Sequence, residues 1–141
     1  MYVVSACLAG VDCKYNGGNN LNEEVVKLVK EGKAVLICPE QMGGLTTPRL
    51  PSEIRDDKVL RSDEIDVTNE YKKGANEALK VAKLVGATKA ILKTKSPSCG
   101  CGKIYDGTFS NNLIEGDGIT TKLFKENGIE VIPSDEYKYE K

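Results

Sequence analysis

The chain of 141 residues contains no histidine and no tryptophan, and only two phenylalanines. Without imidazole, a Ser-His-Asp triad, a Cys-His dyad and a histidine-bearing zinc protease site are excluded within this chain. Acid–base chemistry near neutral pH therefore falls to Glu, Asp, Lys, Tyr or Cys. Charge of one sign is lacking too: 20 basic and 21 acidic side chains leave a formal net charge of -1. That balance argues against a broad cationic surface for a polynucleotide or an anionic membrane. No apolar run approaches the ~20 residues that span a bilayer. The start, Met1 to Cys7, shows no positive stretch followed by an apolar core, so no secretory signal is expected and a cytoplasmic location is the default. No Cys-x-x-Cys pair occurs, which leaves a zinc knuckle or a thioredoxin-type motif with little support.

What is present is a globular balance, 40% hydrophobic and 29% charged, expected to fold as a single domain over residues 1–141. Residues 2–5 read as a strand. Leu21, Val25, Leu28 and Val29 recur at helical spacing, with Asn20 or Asn22 as N-cap and Gly32 past the end. Ala34–Ile37 is a short apolar run that suits a strand buried on both faces. The stretch from Pro39 to Pro51 holds three prolines and Gly43-Gly44, and is expected to be irregular and extended, with a brief edge strand at 58–61. Residues 68–85 are again helical, 89–93 a third strand, 119–127 a final helix and 130–132 a fourth strand. Residues 134–141 are expected as a loosely held tail. Strands alternating with helices imply right-handed crossovers. The fold class is α/β: a small three-layer Rossmann-like domain with a mostly parallel sheet of about four or five strands. Ligands of such folds collect outside the carboxyl ends of the strands, where strand order reverses.

The five cysteines are the chemical signal. An odd number in a chain without an export signal argues against a pure disulfide framework. Cys7 follows the first strand, Cys38 the second and Cys99 the loop after the third, so three thiols fall on one sheet edge. Each of Cys7 and Cys38 alone is as well explained as a buried small hydrophobe. The segment Ser96-Pro97-Ser98-Cys99-Gly100-Cys101-Gly102 is too polar and flexible for core packing. Cys13 and Cys101 sit at no strand end and look uncommitted. A four-thiolate zinc site from Cys7, Cys38, Cys99 and Cys101 has unusual spacing but stays open at this point, as does a thiol-based sulfur-transfer or redox enzyme using Cys99 or Cys101.

Ser5-Ala6-Cys7-Leu8 with Gly10 and Lys14-Tyr15-Asn16-Gly17, then Cys38-Pro39-Glu40 with Gly43-Gly44-Leu45 and Thr47-Pro48-Arg49, then Lys95 to Gly100 with Ile104 to Phe109, resemble in order the motifs of the thiouracil desulfidase (TudS) family. The resemblance extends over nearly the whole chain. It implies a 4Fe-4S cluster held by three cysteines, matching Cys7, Cys38 and Cys99, with one iron left open for the sulfur of a small thiolated nucleobase or nucleoside. A non-catalytic zinc or iron–sulfur module is the competing class. Exchange of C=S for C=O also needs a base for water. The chain has no histidine, and Glu40 stands two residues from an implied ligand, so Glu40 is the expected base, against the plainer alternative of an ion pair with Arg49. Ser98, beside Cys99, is expected to bond the substrate ring or relay a proton, against the plainer alternative of a turn hydroxyl. Tyr15 and Lys95 suit supporting positions, and Asp117 a helix cap or an anion site.

Overall fold

The computed structural model describes residues 1–140. Its elements, in chain order, are β1 (Tyr2–Ser5), a 3-10 turn (Ala6–Ala9), α1 (Glu23–Lys30), β2 (Ala34–Ile37), α2 (Pro39–Met42), β3 (Ser52–Arg55), β4 (Lys58–Arg61), α3 (Thr68–Leu84), β5 (Lys89–Leu92), β6 (Lys103–Tyr105), β7 (Leu113–Glu115), α4 (Ile119–Glu126) and β8 (Glu130–Pro133). The local chemistry of α1 shows why its ends fall where they do. Asn22 Oδ1 accepts from the Glu24 and Val25 amides at 3.0 and 3.3 Å. Glu23 and Glu24 occupy the positive end of the helix dipole, and Lys27 and Lys30 the negative end.

The four expected main strands form one parallel sheet in the order β2-β1-β5-β8. Strand order reverses at β1, since the chain steps to β2 on one side and later to β5 on the other. The alternation of side chains along each strand then separates two cores. Val3, Ile37, Ala90, Leu92 and Val131 pack against Ala78, Leu79 and Ala82 of α3 and Phe124 of α4. On the opposite face Val4 and Ile91 meet Val25 and Leu28 of α1. Full burial of a side chain such as Phe124 contributes about 1.5–3 kcal/mol. The result is the expected three-layer Rossmann-like α/β domain.

Four expectations change. β2 is not buried on both faces: it is an edge strand, and Leu36 is exposed. The stretch after Cys38 is not extended from Pro39 onward, because Pro39 opens α2, where its missing N–H and fixed φ suit the first turn. The strand at 58–61 is not a lone edge strand but one arm of a hairpin whose other arm, β3, lies in a polar segment. A second antiparallel pair, β6 and β7, lies in the Ser/Gly-rich region. The two hairpins are joined at Gly107, whose N–H donates to Glu53 Oε1 at 3.0 Å and whose carbonyl accepts from Arg55 Nη2 at 2.6 Å. Gly107 has φ +91°, and an added Cβ would stand 2.7 Å from the Ile54 oxygen, so the contact requires glycine.

In the expected tail, Ser134 is buried, and Tyr137 and Tyr139 pack against the α1-side core. Tyr137 meets Tyr2 edge to face at 6.4 Å, and the Tyr139 hydroxyl donates to Glu31. Lys141, the last residue of that stretch, lies outside the described residues. Among the described residues no helix is long and apolar enough to cross a membrane.

Candidate active site

Three loops leave the carboxyl edge of the sheet and enclose a cleft of about 470 Å3, within the size range of small-ligand sites. β1 runs into the 3-10 turn that carries Cys7. β2 ends at Cys38, the N-cap of α2, with Glu40 in the first turn of that helix. β5 leads into the turn 96–99, which carries Cys99. The structure therefore places Cys7, Cys38, Cys99 and Glu40, four of the five residues singled out from sequence, on one cleft wall. The hairpins supply the outer rim through Ser52, Glu53, Tyr105 and Asn111, and Tyr15 and Lys95 also face the cleft.

Glu40 is held firmly. Its Oε2 accepts from Arg49 Nη2 at 2.6 Å and from Nε at 3.0 Å, in a pair that is nearly withdrawn from water. The ion pair weighed as the plainer alternative is thus present. Glu40 nevertheless keeps its other oxygen on the cleft side, where Oε1 accepts from Ser96 Oγ at 3.3 Å. Ser96 Oγ in turn accepts from the amides of Ser98 and Cys99, both at 3.1 Å. Those two amides fix the hydroxyl as a donor toward the carboxylate.

Ser98 is a correction. It is buried outside the cleft, and its Oγ lies 2.8 Å from Thr120 Oγ1 of α4. The hydroxyl that reaches the site belongs to Ser96, two residues earlier. Both serines flank Pro97, and only the turn geometry decides which side chain points inward. Asp117 is not a helix cap: the N-cap position of α4 is Gly118, which offers no side chain, and Asp117 accepts from Gly102 N–H at 2.8 Å and pairs with Lys125 at 3.0 Å.

Cys13 is the site residue that sequence reasoning discounted. It is buried and lines the cleft, with its thiol beside those of Cys7 and Cys38. That thiol is the largest influence on its neighbours, and it draws the Cys7 and Cys38 thiols down from 9.0 to about 7 against the effect of burial. Cys13 itself, between two groups that favour the thiolate, is pushed far up. Burial raises Cys99, partly offset by a 3.4 Å hydrogen bond from Ser5 Oγ. Lys93, half-buried beside Cys7, is held below the usual lysine range chiefly by desolvation. Cys101 does not line the cleft; its sulfur lies 4.0 Å from the Val131 carbonyl.

The four-thiolate zinc set with Cys101 is therefore not assembled. Among the described residues no three cysteine, aspartate or glutamate side chains converge on the position of a single metal ion. A polynuclear cluster spreads its ligands wider than one ion does, and soft thiolates are its ordinary donors. Ligation needs thiolates, and two of the four cleft thiols reach that form near neutral pH. The donor set fits an iron–sulfur cluster.

Fold and site together define a Rossmann-like α/β protein with a thiol-lined centre at its topological switch point. The family model for 2-thiouracil desulfurase matches residues 2–136. The chain belongs to that family and is an enzyme of the desulfidase class. It is 45% identical over 146 aligned positions to the uncharacterized protein YbbK of Bacillus subtilis (strain 168), covering 96% of this chain and 97% of that one. A solved structure described as a 4Fe-4S-dependent thiouracil desulfidase, TudS, superposes with a TM-score of 0.91 at 40% identity, covering 96% of this chain and 91% of that one.

Proposed function

We propose that this enzyme replaces C=S by C=O in a small thiolated nucleobase or nucleoside, with Cys7, Cys38 and Cys99 as the ligands of a 4Fe-4S cluster. The observation that carries the reading is the meeting of these three cysteines and Glu40 in one cleft, from three separate strand ends. The cluster dependence in the description of the TudS structure supports it. When bound, the cluster supplies a soft Lewis acid for the leaving sulfur.

The protein's own residues supply the rest. The net reaction is hydrolysis: thiocarbonyl and water give carbonyl and hydrogen sulfide, with no change of oxidation state. Water attacking the ring carbon must lose a proton, and Glu40 Oε1, held on the cleft side by the Ser96 hydroxyl, is the oxygen that takes it. Arg49 holds the opposite oxygen, so the carboxylate cannot rotate out of the cleft. Lys93 places a positive group beside Cys7 and favours a sulfur anion there. Thiols and a cluster of this kind persist in a reducing compartment, consistent with a cytoplasmic enzyme. The near-neutral chain suits a small substrate rather than a polynucleotide.

The test is anaerobic purification with iron and sulfide analysis, then turnover of 2-thiouracil and 4-thiouracil with sulfide release measured. About four irons and four sulfides per chain with sulfide release is expected. Fully loaded protein that releases sulfide from neither compound, nor from their ribonucleosides, overturns the reading.

A further inference from the structure

Among the residues that line the cleft, Tyr71 alone comes from α3, and neither the thiol centre nor the base accounts for it. Its ring clusters with Val59 and Val67, with Leu45 and Ile54 packed alongside, and the residue is 2% exposed. A phenol buried this deeply normally spends its O–H on a protein partner. Here the group beside it is the Ser52 hydroxyl, and no other hydrogen bond among the described residues engages it. Two hydroxyls set against each other hold two hydrogens, and one bond between them uses only one. The pair therefore keeps one O–H free, and both residues line the cleft. Burial, and after it the carboxylate of Glu40, push the phenol above its ordinary value, so Tyr71 stays protonated and acts as a donor.

Position narrows what this donor can meet. Ser52 belongs to the hairpin rim, whereas Cys7, Cys38 and Cys99 emerge from the sheet edge. A thiopyrimidine that offers its sulfur to the cysteine side turns the rest of its ring toward that rim. On 2-thiouracil and 4-thiouracil alike, the strongest acceptor left on that part of the ring is the remaining carbonyl oxygen. Tyr105 and Asn111 share the rim but are more open to water, which competes for any bond they make. A buried donor discriminates better, because an analogue without the acceptor leaves it unpaired.

We propose that Tyr71 is a specificity-determining residue: its hydroxyl donates to the carbonyl oxygen that the reaction leaves in place, so the enzyme selects pyrimidine thiones that carry a second, oxo group. This rests on the desulfidase reading of the cleft. No proton is transferred in this contact. The bond forms on binding and is kept through turnover, so its loss is felt by substrate and product alike.

The test compares anaerobically loaded wild type with Tyr71→Phe, which keeps the ring and its packing. Whichever of 2-thiouracil and 4-thiouracil turns over faster is paired with the pyrimidine thione that has hydrogen in place of the remaining oxygen. Tyr71→Phe should lose about tenfold in kcat/KM on the oxo substrate, the size of one net hydrogen bond, and stay within about twofold of wild type on the analogue. The analogue's different ring reactivity cancels, because it is the same for both proteins. Inhibition by uracil, and by the pyrimidinone that lacks the same oxygen, supplies a readout free of the chemical step. Uracil should bind about tenfold more weakly to Tyr71→Phe, and the pyrimidinone equally to both. Equal losses on oxo substrate and analogue, or no loss on either, overturn the proposal and leave the desulfidase reading intact. Loaded wild type that releases sulfide from neither thiouracil overturns both.

Discussion

Arg49 Nη2 stands 2.6 Å from Glu40 Oε2, and the same nitrogen reaches the Cys13 carbonyl at 3.0 Å. One guanidinium therefore ties the acid of the cleft to the loop bearing its fourth thiol. Arg49→Met removes the cation and leaves a carboxylate nearly withdrawn from water without its partner. Breaking a buried pair in this way costs about 3–5 kcal/mol. Urea unfolding should show a loss of that size, and Arg49→Lys should recover only part of it, since a lysine cannot reproduce the forked contacts.

Glu40→Gln keeps the shape of the side chain but removes its capacity to take a proton. With iron content matched to the parent, sulfide release should slow about a hundredfold or more. Unchanged turnover would place the base elsewhere in the cleft.

The two serines around Pro97 should separate cleanly. Ser96→Ala removes the hydroxyl that orients the cleft-side oxygen of Glu40 and should slow turnover about tenfold, with little effect on cluster content. Ser98→Ala leaves Thr120 Oγ1 without its buried partner and should destabilise the fold by about 1–3 kcal/mol. Its turnover per cluster should stay within about twofold of wild type, since a buried partner of α4 has no part in the proton path. A kinetic defect in Ser98→Ala with normal stability would reverse the assignment.

Gly74 lies in the middle of α3, where alanine would favour the helix by about 1 kcal/mol. An added Cβ would fall 1.8 Å from the Pro39 carbonyl oxygen, a backbone atom of α2. A Cβ added at Gly43 would likewise run into the Glu70 carbonyl oxygen of α3. Gly74→Ala should therefore be destabilising by about 1–3 kcal/mol despite its helix preference. Because Cys38 and Glu40 are carried by the first turn of α2, the variant should also retain less iron on gel filtration. A gain in melting temperature would refute this account of the α2–α3 contact.

The thiols give the cluster-free chain a characteristic pH dependence. Cys7 and Cys38 are lowered from 9.0 to about 7 when folded, so their contribution to stability is present above 9 and lost as pH falls through 7. Cys13 and Cys99 are raised, so their contribution is present below 9 and lost as pH rises above it. Stability of the reduced, cluster-free chain should climb from pH 7 to about 9 and then turn down. Urea midpoints across this range check the prediction, and the rising limb should vanish when Cys7 and Cys38 are both replaced by serine.

Local pattern carried the framework. The apolar runs at 2–5, 34–37, 89–92 and 130–132, and the helical spacing between them, are properties of neighbouring residues, and they were enough to specify a parallel sheet and the edge on which Cys7, Cys38 and Cys99 emerge. The ion pair between Glu40 and Arg49 was visible as an alternative because only nine residues separate them. What spans longer distances had no such signal. Ser96 meets Glu40 across 56 positions, and Ser98 meets Thr120 across 22, so which hydroxyl entered the cleft depended on the path of the turn around Pro97. Cys13 ends no strand and marks no periodicity; only the folding back of its loop, held by Arg49, brings its sulfur to Cys7 and Cys38. Residue type and spacing determined which chemistry this chain can hold, because donors and periodicity are written locally. Tertiary structure decided which side chains perform it, because the direction of a side chain is set by the packing of segments far apart in sequence.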